Sequence, residues 1–194
     1  SNVLVMSYVN RFGSAAIAGF SSANKFDNFL GLPVNSFMLA ITTFVGQNMG
    51  AKQIERVKKG INTCMFMGIG IVIAIGIPAY LFSDLCIRMF SQEADVIYYG
   101  SWMMRTLVPF YSILNIAQVL TGAVRGTGNT TVPMLINVFY YCIIRQVFLA
   151  VAMMFVNSIV VVFWSYPLTW TLSAVTLFIY YKRGSWLKHS GVRG

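Results

Sequence analysis

The sequence predicts an all-α fold, a polytopic bundle of membrane helices, and its composition and pattern both support this. The chain is 57% hydrophobic and 10% charged, with a mean hydropathy of +0.70. Soluble domains carry about 25% charged residues. Long apolar runs alternate with short polar segments, and the runs match or exceed the roughly 20 residues that a helix needs to cross a bilayer. The pattern therefore excludes an ordinary soluble domain.

Polar segments divide the chain into one partial and five complete spans. The partial span, 1–10, resembles the outer end of a truncated helix and is closed by 11–14. The complete spans are 15–46, 61–82, 96–124, 132–156 and 159–181. Their polar connections include a link at 51–59, a segment at 83–95 with an amphipathic piece at 85–90, and a turn at 157–158. No charged leader precedes the first run, so we expect the chain to begin inside a helix of a longer protein.

Prolines inside two of the spans predict kinks. Pro33 and Pro109 each remove a backbone donor from an otherwise helical pattern. The run 15–46 is also interrupted by the polar stretch 25–28, so its kink is expected near Pro33.

The cations predict the orientation in the membrane. When alternate connections are assigned to one side, nine cations share it: Lys52, Arg56, Lys58, Lys59, Arg125, Lys182, Arg183, Lys188 and Arg193. The other side has only Arg11 and Arg88. Since cytoplasmic loops are enriched in Lys and Arg, the first side is predicted to be cytoplasmic, in the inner (plasma) membrane.

Nucleic-acid binding, a disulfide framework and a metal site are not expected. The net charge of +9 comes from cations in the gaps between apolar runs rather than on one solvated face. Cys64, Cys86 and Cys142 are odd in number and far apart, so they match neither disulfide nor metal spacing.

Four ionisable residues lie deep inside predicted spans. Lys25, Asp27, Arg105 and Arg145 are about 15–20 Å from the nearest span end, counted along a helix axis. Charges at such depth are costly and usually face a water-filled cavity or a partner. A lone buried acid such as Asp27 can exchange a proton or hold a cation.

Polar neighbours recur at helical spacing around these charges and suggest cavity walls. Beside Asp27 one face has Asn24, Asn28, Gly31 and Asn35. The other two faces have Ser101, Arg105, Ser112 and Asn115, and Asn137, Tyr141 and Arg145.

Structural roles remain open for three of the four charges. Arg145 can instead anchor a helix break beside Tyr141, and Lys25 can extend its amine to the interface. Arg105 can be a structural partner of Asp27.

A polar hinge at 122–134 separates two apolar runs. Gly126 and Gly128 offer backbone freedom for a tight turn, and Thr130 or Thr131 can cap the following helix. Pro133 falls in the first turn of that helix, which tolerates a missing N–H.

This hinge resembles the loop between helices ten and eleven of multidrug and toxic compound extrusion (MATE) transporters, G-x-x-R-G-x-G-x-x-x-x-P-M, which includes Arg125. A second block, Gly46-Gln47-Asn48 followed by Gly50, resembles the family's loop between helices eight and nine. Asn10 and Gly13 match the corner after helix seven, and Lys25-Phe26-Asp27 resembles the K-[IF]-D of the DinF-like branch.

The resemblance implies that residues 1–194 form the C-terminal lobe of such a transporter: six helices, with the first truncated. It implies export of drugs or other amphipathic and cationic compounds in antiport with Na⁺ or H⁺, by rocker-switch alternating access. No cofactor, catalytic site or metal is expected. The implied partners are a small-molecule substrate, membrane lipid and the N-terminal lobe.

One position departs from the family pattern. Some branches have an acid in helix ten, about three turns before the hinge arginine, where this chain has Ser112-Ile113-Leu114-Asn115. The coupling carboxylate is therefore expected partly in the other lobe. The excess of buried cations predicts acids in that lobe or an anionic group on the substrate.

Three other functions compete with efflux. A lipid-linked oligosaccharide flippase of the same superfamily would need a cationic cavity, and a non-transporting half-lobe would only pair with another lobe. A membrane enzyme requires clustered carboxylates or histidines, whereas the single histidine is His189 in the tail.

Overall fold

The computed structural model describes residues 2–184 and Trp186, and these residues form a bundle of α-helices. The helices are α1 (Asn2–Val9), α2 (Ser14–Gly50), α3 (Ile54–Leu81), α4 (Ser83–Arg88), α5 (Ala94–Leu107), α6 (Tyr111–Gly126), α7 (Thr131–Val138), α8 (Arg145–Phe155) and α9 (Ile159–Lys182). A 3₁₀ turn at Asn10–Phe12 joins α1 to α2.

Five helical rods are long and apolar enough to cross a membrane, which confirms the five predicted spans. Two of the rods consist of more than one helix. A 3₁₀ turn at Val108–Phe110 joins α5 to α6, and a π-helical segment at Phe139–Ile144 joins α7 to α8. The first break contains Pro109, as the sequence predicted. The second break has no proline, and it lies beside Tyr141 and Arg145, where the sequence left a helix break open as one alternative.

One expected boundary differs from the structure. The predicted polar link at 51–59 is only three residues long, because α3 already begins at Ile54. The first turn of α3 is stabilised by an ion pair between Glu55 and Lys58, which lie on one helix face. The first long run forms a single helix, since α2 continues through Asp27 and Pro33 without a change of helix type.

Helix α2 is the central element, and it packs closely against α6. The α6 residues Gly122 and Gly126 face α2, where a side chain would collide with backbone oxygens of Met38 and Thr42. The hydroxyl of Thr42 donates to the Gly122 carbonyl oxygen at 3.1 Å. The two glycines therefore permit a helix contact of the small-xxx-small type.

The buried apolar residues form two clusters, one toward each end of the bundle. One contains Phe20, Met103 and Phe163. The other contains Ile61 and the α6 and α9 leucines Leu120 and Leu177. Between them, the polar groups of α2, α6, α8 and α9 come together.

Candidate substrate and ion cavity

A cavity of about 330 Å³ lies between α2, α6, α9 and the segment that leads into α8. It is lined by Asp27, Asn28, Gly31, Val34, Asn35, Leu114, Gln118, Tyr141, Arg145, Tyr166 and Trp170. Polar and aromatic side chains dominate the lining, although each of these helices is largely apolar.

Asp27 contributes a carboxylate to this cavity from the N-terminal half of α2. The Tyr111 hydroxyl donates a hydrogen bond to the Asp27 carboxylate and a longer one, at 3.3 Å, to its backbone carbonyl oxygen. Tyr111 is buried, and its ring packs edge-on against Trp170 at 5.4 Å between centroids. The aromatic packing therefore fixes the hydroxyl that orients the acid.

Arg145 contributes the opposite charge and is 4% exposed. Its guanidinium carbon lies 4.2 Å from the centroid of the Tyr166 ring, and one terminal nitrogen donates to Thr169 Oγ1 at 3.0 Å. Its buried Nε has no hydrogen-bond partner among the described residues. A charged group held this way can still receive an acceptor from a ligand or water.

Asp27 and Arg145 share the cavity without forming an ion pair. Within residues 2–184 the ion pairs are Lys58–Glu55 and Arg105–Asp84. Each charge is instead held by an aromatic residue, Asp27 by Tyr111 and Arg145 by Tyr166. The cavity thus presents a carboxylate and a guanidinium as separate groups.

The structure brings five of the nine predicted cavity residues together, namely Asp27, Asn28, Asn35, Tyr141 and Arg145. The other four lie elsewhere. Asn24 is half-buried on α2, and Lys25 is exposed with its amine 5.1 Å from the centroid of the Phe90 ring.

Arg105 lies in the pocket between α4 and α5 and does not line the cavity of Asp27. Its Nε donates to Ser83 Oγ at 2.8 Å, and a terminal nitrogen lies 3.1 Å from Asp84 Oδ2. The depth of Arg105 was overestimated by counting residues along its rod, because that 33-residue rod is about 50 Å long and exceeds the bilayer thickness. The pairing of Arg105 with Asp27, which the sequence left open, is not formed.

Asn115 is fully buried between α6 and α3 rather than in the cavity. Its amide nitrogen donates to the Met65 carbonyl oxygen at 3.3 Å, and the amide fills the space above Gly68. From helical spacing alone, Asn115 was expected on the same helix face as Arg105. In the structure α6 is rotated so that Asn115 faces α3.

Sequence reasoning missed Tyr111, Gln118, Tyr166 and Trp170. All four line the cavity or hold its charged groups. Tyr166 and Trp170 are one helical turn apart on α9, and Gln118 is the only glutamine between residues 93 and 145. Gln118 could have been predicted, because it is an isolated amide inside an apolar span. Tyr166 and Trp170 could not, because aromatic residues are common throughout this sequence.

Two of the motif glycines lie at turns between helices. Gly13 and Gly128 have φ of 92° and 90°, which favours glycine. Gly126, by contrast, is helical and serves the close contact with α2. Asn10 belongs to the 3₁₀ turn before Gly13, and Pro133 lies buried in the first turn of α7 as expected.

The two segments that match family motifs, 46–50 and the hinge at 122–134, are called the two hinge blocks. They meet at the same end of the bundle. A side chain at Gly46 would lie 3.5 Å from the Gly126 carbonyl oxygen. The remaining members of the two blocks are held locally or exposed: Gln47 accepts from the Ala51 N–H, Asn48 donates to the Phe44 carbonyl oxygen, Gly50 has open space around it, and Arg125 lies 4.0 Å from Met38 Sδ.

The cap of α7 is not the one expected from the sequence. Neither Thr130 nor Thr131 caps the helix through its side chain; Asn129 Oδ1 accepts from the Val132 N–H at 3.2 Å instead. The Asn129 amide also donates to the Tyr180 hydroxyl at 3.0 Å. This bond ties the hinge to α9.

Comparisons with known proteins agree with this architecture. The chain is 24% identical over 182 residues to the probable multidrug resistance protein YpnP of Bacillus subtilis (strain 168), with 94% of the chain and 41% of the relative covered. It is 30% identical over 125 residues to the probable multidrug resistance protein NorM of Thermotoga maritima, covering 64% and 27% respectively. The chain thus spans less than half the length of these relatives.

A solved structure shows the same fold. A mutant of the Vibrio cholerae MATE transporter VcmN superposes with a TM-score of 0.85 at 16% identity, over 94% of this chain and 41% of that one. The family model MatE matches residues 1–151. With the helical lobe, the two hinge blocks and this match in agreement, the chain belongs to the MATE family of membrane transporters.

Proposed function

We propose that this chain forms one lobe of a secondary active efflux transporter, which exports drugs or other amphipathic and cationic compounds in antiport with Na⁺ or H⁺. The observation that carries the proposal is the cavity in which Asp27 and Arg145 lie together without pairing. In a structural ion pair the two charges would neutralise each other. Two charges that are held separately can each bind an ion, a proton or a polar group of a substrate.

Asp27 is the group that exchanges the coupling ion or proton. Of the five acidic residues in the sequence, it alone lies well inside a span. A change in the occupancy or protonation of its carboxylate alters the charge between α2 and the Tyr111–Trp170 pair. That change shifts the balance between two arrangements of the lobes, which is rocker-switch alternating access. No further cofactor takes part.

The second lobe is supplied by the rest of the transporter and closes the cavity. The exposed side of α2 is mixed, since Asn28, Asn35 and Ser36 place polar groups among the exposed apolar side chains Phe29, Leu32 and Leu39. By contrast, α3 exposes large apolar side chains such as Phe66, Met67 and Ile77, which suit lipid. The mixed face of α2 therefore suits contact with the other lobe.

The orientation follows the distribution of cations. The protein is proposed to reside in the inner membrane, with the hinge at 125–131 and the C-terminus in the cytoplasm. Contacts between Gly46 and Gly126, and between Asn129 and Tyr180, support placing the three basic segments at one end of the bundle.

The test replaces the acid in the full-length transporter that contains this lobe. Asp27→Asn keeps the size of the side chain and removes its charge, and it is expected to abolish ion-coupled transport of ethidium into everted vesicles, where export from the cytoplasm is measured as uptake. Asp95→Asn is the matched control, since Asp95 is exposed in the first turn of α5. Unchanged coupled efflux in Asp27→Asn would remove this carboxylate from the mechanism.

The flippase alternative is not favoured by the comparisons, because the relatives reported above are named as multidrug resistance proteins. The non-transporting half-lobe is separated from an efflux function by the same vesicle experiment, since it predicts no flux from the wild-type protein.

A further inference from the structure

A polar pocket of about 420 Å³ lies at the outer end of the bundle, between α4 and α5. It is lined by Asp84, Arg88, Gln92, Ala94, Ile97, Tyr98, Ser101 and Arg105. Two of these residues are arginines and one is an acid. The Asp27 cavity contains none of them.

An apolar groove of about 260 Å³ lies between α3 and the start of α6. Its walls follow those of the pocket closely along the chain, since Leu81 in the groove precedes Asp84 by three residues and Pro109 follows Arg105 by four. Pro109, in the 3₁₀ turn, and Ser112, in the first turn of α6, form part of one wall of the groove. The opposite wall includes Ile77 and Leu81, which are 56% and 64% exposed.

The boundary between pocket and groove coincides with the edge of a hydrocarbon layer. Arg105 and Arg125 are 20 residues apart on one rod. That spacing corresponds to about 30 Å, which is about the thickness of a bilayer's apolar core. With Arg125 at one boundary, Arg105 lies at the other; the groove is then in the acyl region and the pocket at headgroup depth.

The charges of the pocket match one phosphate diester. Arg105 is held by Ser83 and Asp84 through Nε and one terminal nitrogen, and it is still 45% exposed at its side chain. Arg88 is exposed and lines the same pocket. The two arginines and one aspartate leave one positive charge, which complements a single anionic phosphate.

We infer that this pocket and groove form a binding site for an anionic phospholipid of the outer leaflet, with its phosphate between Arg88 and Arg105 and one acyl chain along Ile77 and Leu81. Gly76 widens the groove, because a side chain there would come within 3.2 Å of Val108 Cγ1. The bound lipid bridges α3, α4 and α5. The site is independent of the transport cycle proposed above, so either can fail alone.

The test measures lipid binding to the purified chain in detergent by native mass spectrometry. The probe is dioleoyl-phosphatidylglycerol; dioleoylglycerol lacks its phosphate and glycerophosphoglycerol lacks its acyl chains. The double variant Arg88→Gln/Arg105→Gln is expected to weaken binding about tenfold or more. The matched control Lys52→Gln/Arg56→Gln removes the same charge at the opposite end and is expected to bind as the wild type does.

A second variant addresses the groove without touching the arginines. Ser112→Phe fills the apolar channel beside Pro109 and is expected to weaken binding of the diacyl lipid by several-fold, with both hinge blocks unaltered. The site is refuted if the two double variants lose lipid binding equally, or if dioleoylglycerol binds as well as the phospholipid. It is also refuted if Ser112→Phe and Arg88→Gln/Arg105→Gln both bind the phospholipid as the wild type does. Glycerophosphoglycerol binding with full affinity would likewise overturn a lipid occupant in favour of a soluble phosphate.

Discussion

The Tyr111 hydroxyl donates a hydrogen bond to the carboxylate of Asp27, across 84 positions of the sequence. This contact joins α6 to α2 beside the cavity. Tyr111 is itself fixed by its edge-on contact with Trp170 of α9. Three helices thus determine the position of one carboxylate.

Removal of that hydroxyl tests the contact. Tyr111→Phe keeps the aromatic packing and deletes only the donor, so it should reduce the free energy of unfolding by about 1–3 kcal/mol because a buried carboxylate loses its partner. Thermal unfolding in detergent measures this. Tyr98→Phe, at a tyrosine that is 58% exposed, should change stability by less than about 0.5 kcal/mol. Equal effects in the two variants would contradict the assignment.

The guanidinium of Arg145 is held by its shape as well as its charge. Arg145→Lys keeps the charge but loses the planar contact with Tyr166 and the bond to Thr169. A loss of about 1–2 kcal/mol in unfolding free energy is expected. The exposed Arg183→Lys serves as control. Stability unchanged by Arg145→Lys would show that a point charge suffices at this position.

The contact between α2 and α6 depends on glycine. In Gly126→Ala the new methyl group would lie 2.6 Å from the Thr42 carbonyl oxygen, so the helices must separate, at a cost of about 1–3 kcal/mol. Gly70→Ala lies in a helix interior with open space around it and should instead gain up to about 1 kcal/mol. Opposite signs of the two unfolding shifts are the expected result; a gain in both would refute the close contact.

The hinge is tied to α9 by Asn129. Asn129→Ala removes both the α7 cap and the bond to Tyr180, and it should cost about 1–2 kcal/mol. Tyr180→Phe removes only the second bond and should cost less. Thr130→Ala tests the position favoured by the sequence, and it should be nearly neutral because the Thr130 side chain makes no capping bond. A larger loss of unfolding free energy in Thr130→Ala than in Asn129→Ala would show that Thr130 caps α7, as the sequence predicted.

Sequence reasoning succeeded where a feature depends on neighbouring residues along the chain. The five spans follow from the length of the apolar runs, and the break at Pro109 follows from its missing donor. The turn at Gly128 follows from the need for a positive φ. Asp27 and Arg145 were visible in the sequence as charges inside apolar runs, and the structure places both in the lining of one cavity; their binding role stays a prediction.

The sequence by itself determined that this protein is a bundle of membrane helices, and it predicted four charges deep inside the spans. Only the tertiary structure decided which polar side chains meet and which of those charges share a cavity. Helical spacing relates residues on one rod, but it specifies neither the rotation of that rod against its neighbours nor its depth in the bilayer. For that reason Asn115 turned out to face α3, Arg105 to pair with Asp84, and Tyr111 to bind Asp27.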